Sequence, residues 1–145
     1  MKASTRVVSL ALIGFIGAFT LAAGGGGKAK VWPAGDIKWV ENPAMKGAWI
    51  APLWGDPSKG AYGALKKVTA GTEFGWHTHT SDQKVVAVSG AFDFQLEGDA
   101  EPKVLEPGSY VFLPGGTKHK TTCRAGADCV FFEEQPGKSD LVPVK

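Results

Sequence analysis

Short apolar runs alternate with turn-forming clusters along most of the chain, and no segment past the first residues holds a helical apolar repeat for three turns. The runs are rich in Val, Ile, Tyr, Phe and Trp. They predict strands near Ile37–Val40, Trp49–Leu53, Tyr62–Thr69, Gly75–His79, Val85–Ser89, Ala91–Leu96, Lys103–Leu105, Ser109–Leu113, Lys118–Thr122 and Cys129–Glu133. Between them lie "WGDPSKG", "TAGT", "LEGDAEP", "EPGS", "LPGGT" and "RAGAD", where Gly, Pro and Asp favour turns. This pattern predicts one all-β domain, a sandwich or barrel, over residues 28–145, with the tail from Gln135 as a loose strand or arm. Tyr110, Phe112, Phe92 and Phe94 are expected to alternate through its wall.

The opening segment is patterned differently. Lys2 and Arg6 precede an uncharged apolar stretch from Val7 to Ala23, with small residues from 22 to 27. That layout predicts a secretory signal peptide over residues 1–27, cleaved somewhere in 23–27, rather than a permanent anchor. The expected location is periplasmic or secreted, with no stable membrane association after cleavage. Losing Lys2 and Arg6 reduces the 16 Lys and Arg to 14, which balance the 14 Asp and Glu. The charges are scattered, with no basic stripe for nucleic acid or a lipid surface, so the expected partners are a small molecule and a second copy of the chain. Trp32, Trp39 and Trp49 are candidates for covering such a homodimer interface.

The chain has only three histidines, His77, His79 and His119. Alternate residues of a strand share a face, so His77 and His79 present their imidazoles side by side. The same parity reaches Gln83, whose amide oxygen a short bend can bring to the same place. His119 follows the tight "PGG" turn on a separate strand. Three imidazoles meeting inside a β-scaffold suit one divalent transition metal with positions open to a ligand. Cys123 and Cys129 flank "RAGAD", a hairpin turn, and a disulfide across it suits an oxidising compartment. The alternative is a thiolate or redox role, because Cys123 shares the parity of His119.

"GTEFGWHTHTSDQKVVAVSG", residues 71–90, resembles the first cupin motif, with Gly71, His77, His79 and Gly90 in place and Gln83 where Glu is usual. "GSYVFLPGGTKHKTTC", residues 108–123, is similar to the second, with Gly108, Pro114, Gly116 and His119 matching and Cys123 in place of Asn. The resemblance implies a single-domain jelly-roll β-barrel, one internal metal (Fe or Mn favoured, Zn, Ni or Cu as alternatives) and a dimer. The three-His set resembles that of cupin dioxygenases and of the zinc-holding cupin domain of some anti-sigma factors.

Gln in place of Glu removes a negative ligand, so the site keeps a charge near +2 and favours anionic or enolisable oxygen ligands. Gln83 also cannot act as a carboxylate base. The function expected from these residues is an exported metal-binding domain with dioxygenase-like activity on a small oxygen-rich molecule. A non-enzymatic binder or sensor and a metal-dependent lyase or isomerase are the alternatives. Phe74, Lys84 and Phe132 are further candidates for shaping the pocket.

Overall fold

The computed structural model describes residues 28–43 and 45–145; the expected signal peptide lies outside the described residues. The unit Trp32–Lys145 begins with a single 3-10 turn, Ala34–Asp36, followed by eleven strands. These are β1 (Val40–Glu41), β2 (Ala48–Gly55), β3 (Tyr62–Val68), β4 (Glu73–Thr78), β5 (Gln83–Ser89), β6 (Phe92–Leu96), β7 (Lys103–Leu105), β8 (Tyr110–Leu113), β9 (His119–Cys123), β10 (Cys129–Gln135) and β11 (Val142–Pro143). The strand expected over Ile37–Val40 is found instead at Val40–Glu41, with Ile37 serving as the C-cap of the preceding turn.

Two antiparallel sheets result. One runs β1-β2-β3-β10-β5-β8, the other β11-β4-β9-β6-β7. The expected closed barrel is therefore corrected to two sheets with free edges. The edge strands β1, β11 and β7 are two or three residues long and offer little backbone to a further partner.

Strand alternation divides each sheet into an inner and an outer face. On β10, buried Cys129 and Glu133 bracket Phe131, whose ring meets Phe92 of the other sheet edge-on with centroids 5.5 Å apart. Phe92 and Phe94 are buried, as a wall position requires. Tyr110 and Phe112 instead lie on the exposed face of β8, and Val111 and Leu113 take the inward positions. The wall expectation thus fails for β8 by one residue of parity, which sends every side chain to the opposite face.

Beside this core Cys123 and Cys129 form a disulfide, and both are fully buried. The bond joins the facing ends of β9 and β10, so the thiolate alternative is set aside. Gly90, the last glycine of the first motif, adopts φ +72 next to it, and an added Cβ would lie 2.7 Å from Asp128 O and 2.9 Å from Cys129 Sγ. Only glycine fits that conformation and that gap. Cys123→Ser/Cys129→Ser is expected to lower unfolding free energy by about 2 kcal/mol, the chain-entropy value for so short a loop. Urea titration checks this, and an unchanged midpoint would contradict it.

Candidate metal centre

The three histidines come from three local devices that converge. His77 is the penultimate residue of β4 and pairs directly with His119, the first residue of β9. Their ring centroids are 4.2 Å apart, and His79 lies 5.0 Å from His77 and 5.3 Å from His119. One ligand nitrogen from each falls within 4.8 Å of the others.

Each ring is oriented through Nδ1. His77 Nδ1 contacts Gly75 O at 2.6 Å, His79 Nδ1 contacts Asp140 O at 2.5 Å, and His119 Nδ1 contacts Thr117 O at 3.0 Å. A carbonyl oxygen can only accept, so Nδ1 carries the proton and donates in all three. The lone pair of each neutral ring is then on Nε2. This is the orientation in which backbone acceptors commonly hold a metal-ligating histidine. The donor set fits a divalent transition metal.

Burial supports the neutral form. It holds His77 and His79 below the ordinary imidazole range and pushes His119 down to about 4. In the unfolded chain these rings titrate near 6.5. Between those values the unfolded state binds more protons than the folded one, so stability is full above pH 6.5 and is lost as pH falls toward 4. The thermal midpoint of metal-free protein is expected to drop steadily over that window. A midpoint flat from pH 7 to about 4 would contradict the neutral assignment.

Two segments clamp the His79 end. In the "PGG" turn, Gly116 N donates to His79 O and Gly115 N donates to Asp82 Oδ1, each at 2.8 Å. A Cβ on Gly115 would come within 2.5 Å of Thr80 O, so the close approach needs a glycine there. From the other side the C-terminal arm brings Asp140, which accepts from His79 through its carbonyl and from Thr80 N and Oγ1 through its carboxylate. The arm was legible only as a possible loose strand. Its role depends on β11 pairing with β4, Val142 opposite Thr78.

The histidines line a cavity of about 580 Å³, within the range of small-molecule sites. Gln83 is buried in its wall, on the face that parity assigned. Its Nε2 donates to Glu133 Oε2 at 3.1 Å, which leaves only its carbonyl oxygen for an ion. Phe74 lines the cavity as expected. Lys84 pairs with Glu134 on the outer face, and Phe132 is on that same face, so both pocket expectations are corrected by parity, Lys84 to its neighbours Gln83 and Val85 and Phe132 to Phe131.

Glu133 is the residue that the motifs did not reveal. It is 3% exposed, and Oε1 accepts from Tyr62 OH, from Lys66 Nζ at 2.5 Å and from Gln135 Nε2 at 3.1 Å. Burial alone would raise its pKa. The Lys66 ammonium and the Tyr62 hydroxyl outweigh burial and hold the carboxyl below its usual range. Burial and the Glu133 charge in turn push Tyr62 up, so it stays a phenol and donates. The only sequence signal for Glu133 is a charged residue at the same strand parity as Cys129 and Phe131.

The family model DUF4437, a domain of unknown function, matches residues 29–139. No curated protein matches the chain. Among solved structures, an RmlC-like cupin protein from Ralstonia eutropha is 26% identical with a TM-score of 0.62, over 76% of this chain and 69% of that one. The polyketide cyclase RemF from Streptomyces resistomycificus is 20% identical with a TM-score of 0.67, over 81% and 87%. KdgF from a Halomonas species is 22% identical with a TM-score of 0.60, over 74% and 94%. The fold is thus that of the cupin superfamily, as the two motifs implied.

Proposed function

We propose that this chain, which belongs to the DUF4437 family, is an exported metal-dependent protein of the dioxygenase type. In this reading His77, His79 and His119 hold one divalent ion, Fe or Mn, with the Gln83 carbonyl oxygen as a fourth candidate ligand. The observation that carries it is the convergence of three imidazoles, each holding a backbone carbonyl through Nδ1, on the wall of a mostly apolar cavity. Bound there, the metal supplies Lewis acidity or oxygen activation at positions open to a small molecule.

The chain's own residues decide what kind of chemistry can accompany it. An isomerase or lyase needs a base in reach of the ligand. Among the described cavity residues the carboxylates are Glu133, saturated by four donors, and Asp140, held by Thr80. Neither is a free base, so the residues support oxygen chemistry or simple binding over enolate formation by an enzymic carboxylate. The three backbone carbonyls fix ring orientation, which leaves a ligand to supply the remaining oxygen donors.

That same lack of a free carboxylate base supports a second reading, a binder or sensor without turnover. Elemental analysis of protein from its own compartment, combined with oxygen uptake on a β-diketone and a small thiol, separates the two. Stoichiometric Fe or Mn with substrate-dependent uptake is expected. Stoichiometric Zn without uptake favours the binder, and protein with no transition metal overturns both. Mass and sedimentation measurements on non-reduced mature protein test the export and homodimer that belong to this reading.

A further inference from the structure

The inward positions of the strands change character along their length. On β10 they run Glu133, Phe131, Cys129; on β5 Gln83, Val85, Ala87; on β9 His119, Thr121, Cys123. The registers set His119 opposite Leu96 and Cys123 opposite Phe92, and Lys66 opposite Phe131. The His, Glu, Gln and Lys side chains therefore gather at one end, and toward the far end, roughly 13 Å along the strands, the lining is mostly apolar, with Thr121, Ser109 and Asn42 as its polar members.

At the polar end Lys66 is set apart. Its Nζ holds Glu133 Oε1 at 2.5 Å and donates to Ser139 Oγ at 3.3 Å, and its side chain is 20% exposed. An ammonium has three N–H donors, and two are engaged. The Lys66 and Glu133 charges cancel, so Glu133 does not offset a divalent ion, and Gln83 cannot.

We infer that the cavity takes an amphipathic monoanion, its carboxylate or similar oxyanion head received by Lys66 beside the three histidines and its apolar body lying between Phe94, Phe131 and Phe92. This rests on the small-ligand reading above and narrows it: the polyhydroxylated body of an oxygen-rich molecule would leave most of its hydroxyls unpaired against these mostly apolar walls.

Calorimetric titration of the full protein tests this, both metal-loaded and stripped with EDTA. The probes are a straight-chain carboxylate series from butanoate to octanoate, octanol, and gluconate. Affinity is expected to rise about fourfold per methylene, and octanoate to bind about tenfold tighter than octanol. Gluconate is expected to bind weakest of the long probes. In stripped protein Lys66→Met/Glu133→Gln, which removes both charges together, is expected to erase the preference for octanoate and leave octanol binding in place. A flat chain-length series, gluconate binding tighter than octanoate, or a preference that survives the double variant overturns the inference. Metal content is read separately: an octanoate preference in protein that never carries metal sustains the inference and overturns only the metal assignment.

Discussion

Protein carrying His119→Ala is expected to lose its metal, its affinity falling at least about 100-fold, beyond the 10–100-fold typical of losing a supporting contact to a ligand. The three imidazoles are the whole of the His, Cys, Asp and Glu donor cluster among the described residues. Removing one leaves a pair, and the two carboxylates of the cavity cannot substitute: Glu133 is already tied to Lys66 and Tyr62, and Asp140 to Thr80. The measurement is the metal-to-protein ratio after dialysis, compared with wild type and with Lys59→Ala, a change at an exposed side chain outside the donor cluster. His77→Ala should behave as His119→Ala does. Full retention of metal by either variant would show that these rings do not hold it.

Lys66→Met is expected to be the most destabilising single substitution here, at about 3–5 kcal/mol. Methionine matches the lysine stem in shape, so packing changes little. What changes is that Glu133, with a side chain only 4% exposed, loses its counter-charge and stays in a low-dielectric interior. Its remaining donors, Tyr62, Gln83 and Gln135, are neutral. Adding Glu133→Gln should restore much of the loss, since no unpaired charge is then buried. Urea midpoints of the three proteins decide it. A Lys66→Met midpoint close to wild type would mean that the pair is solvated and that the carboxylate is not confined as described.

Strand placement was legible in the residues to within one to three positions over most of the chain. β7 falls where the pattern put it, and β3 differs only at its final residue. Side-chain period two is a local property, so inward positions such as Gln83, Phe92 and Phe94 followed from it. The errors were equally local in origin. Phe112 and Phe132 are as apolar as their neighbours Val111 and Phe131, and hydropathy alone does not say which of two adjacent apolar residues faces in. Glu133 was missed because its burial depends on Lys66 and Tyr62, distant in the chain, arriving across the β3–β10 pairing.

By itself the order of residues determined the all-β class, the two His-bearing motifs and the pairing of the only cysteines, because each depends on local periodicity, turn chemistry or a short loop. Tertiary structure alone decided that the sheets keep open edges, that the C-terminal arm returns to hold His79, and that a buried Lys66–Glu133 pair stands where the motif lacks a carboxylate. Those features depend on contacts between residues some 60 positions apart, such as His79 and Asp140. No local pattern encodes such contacts, because their energy exists only once the strands have packed.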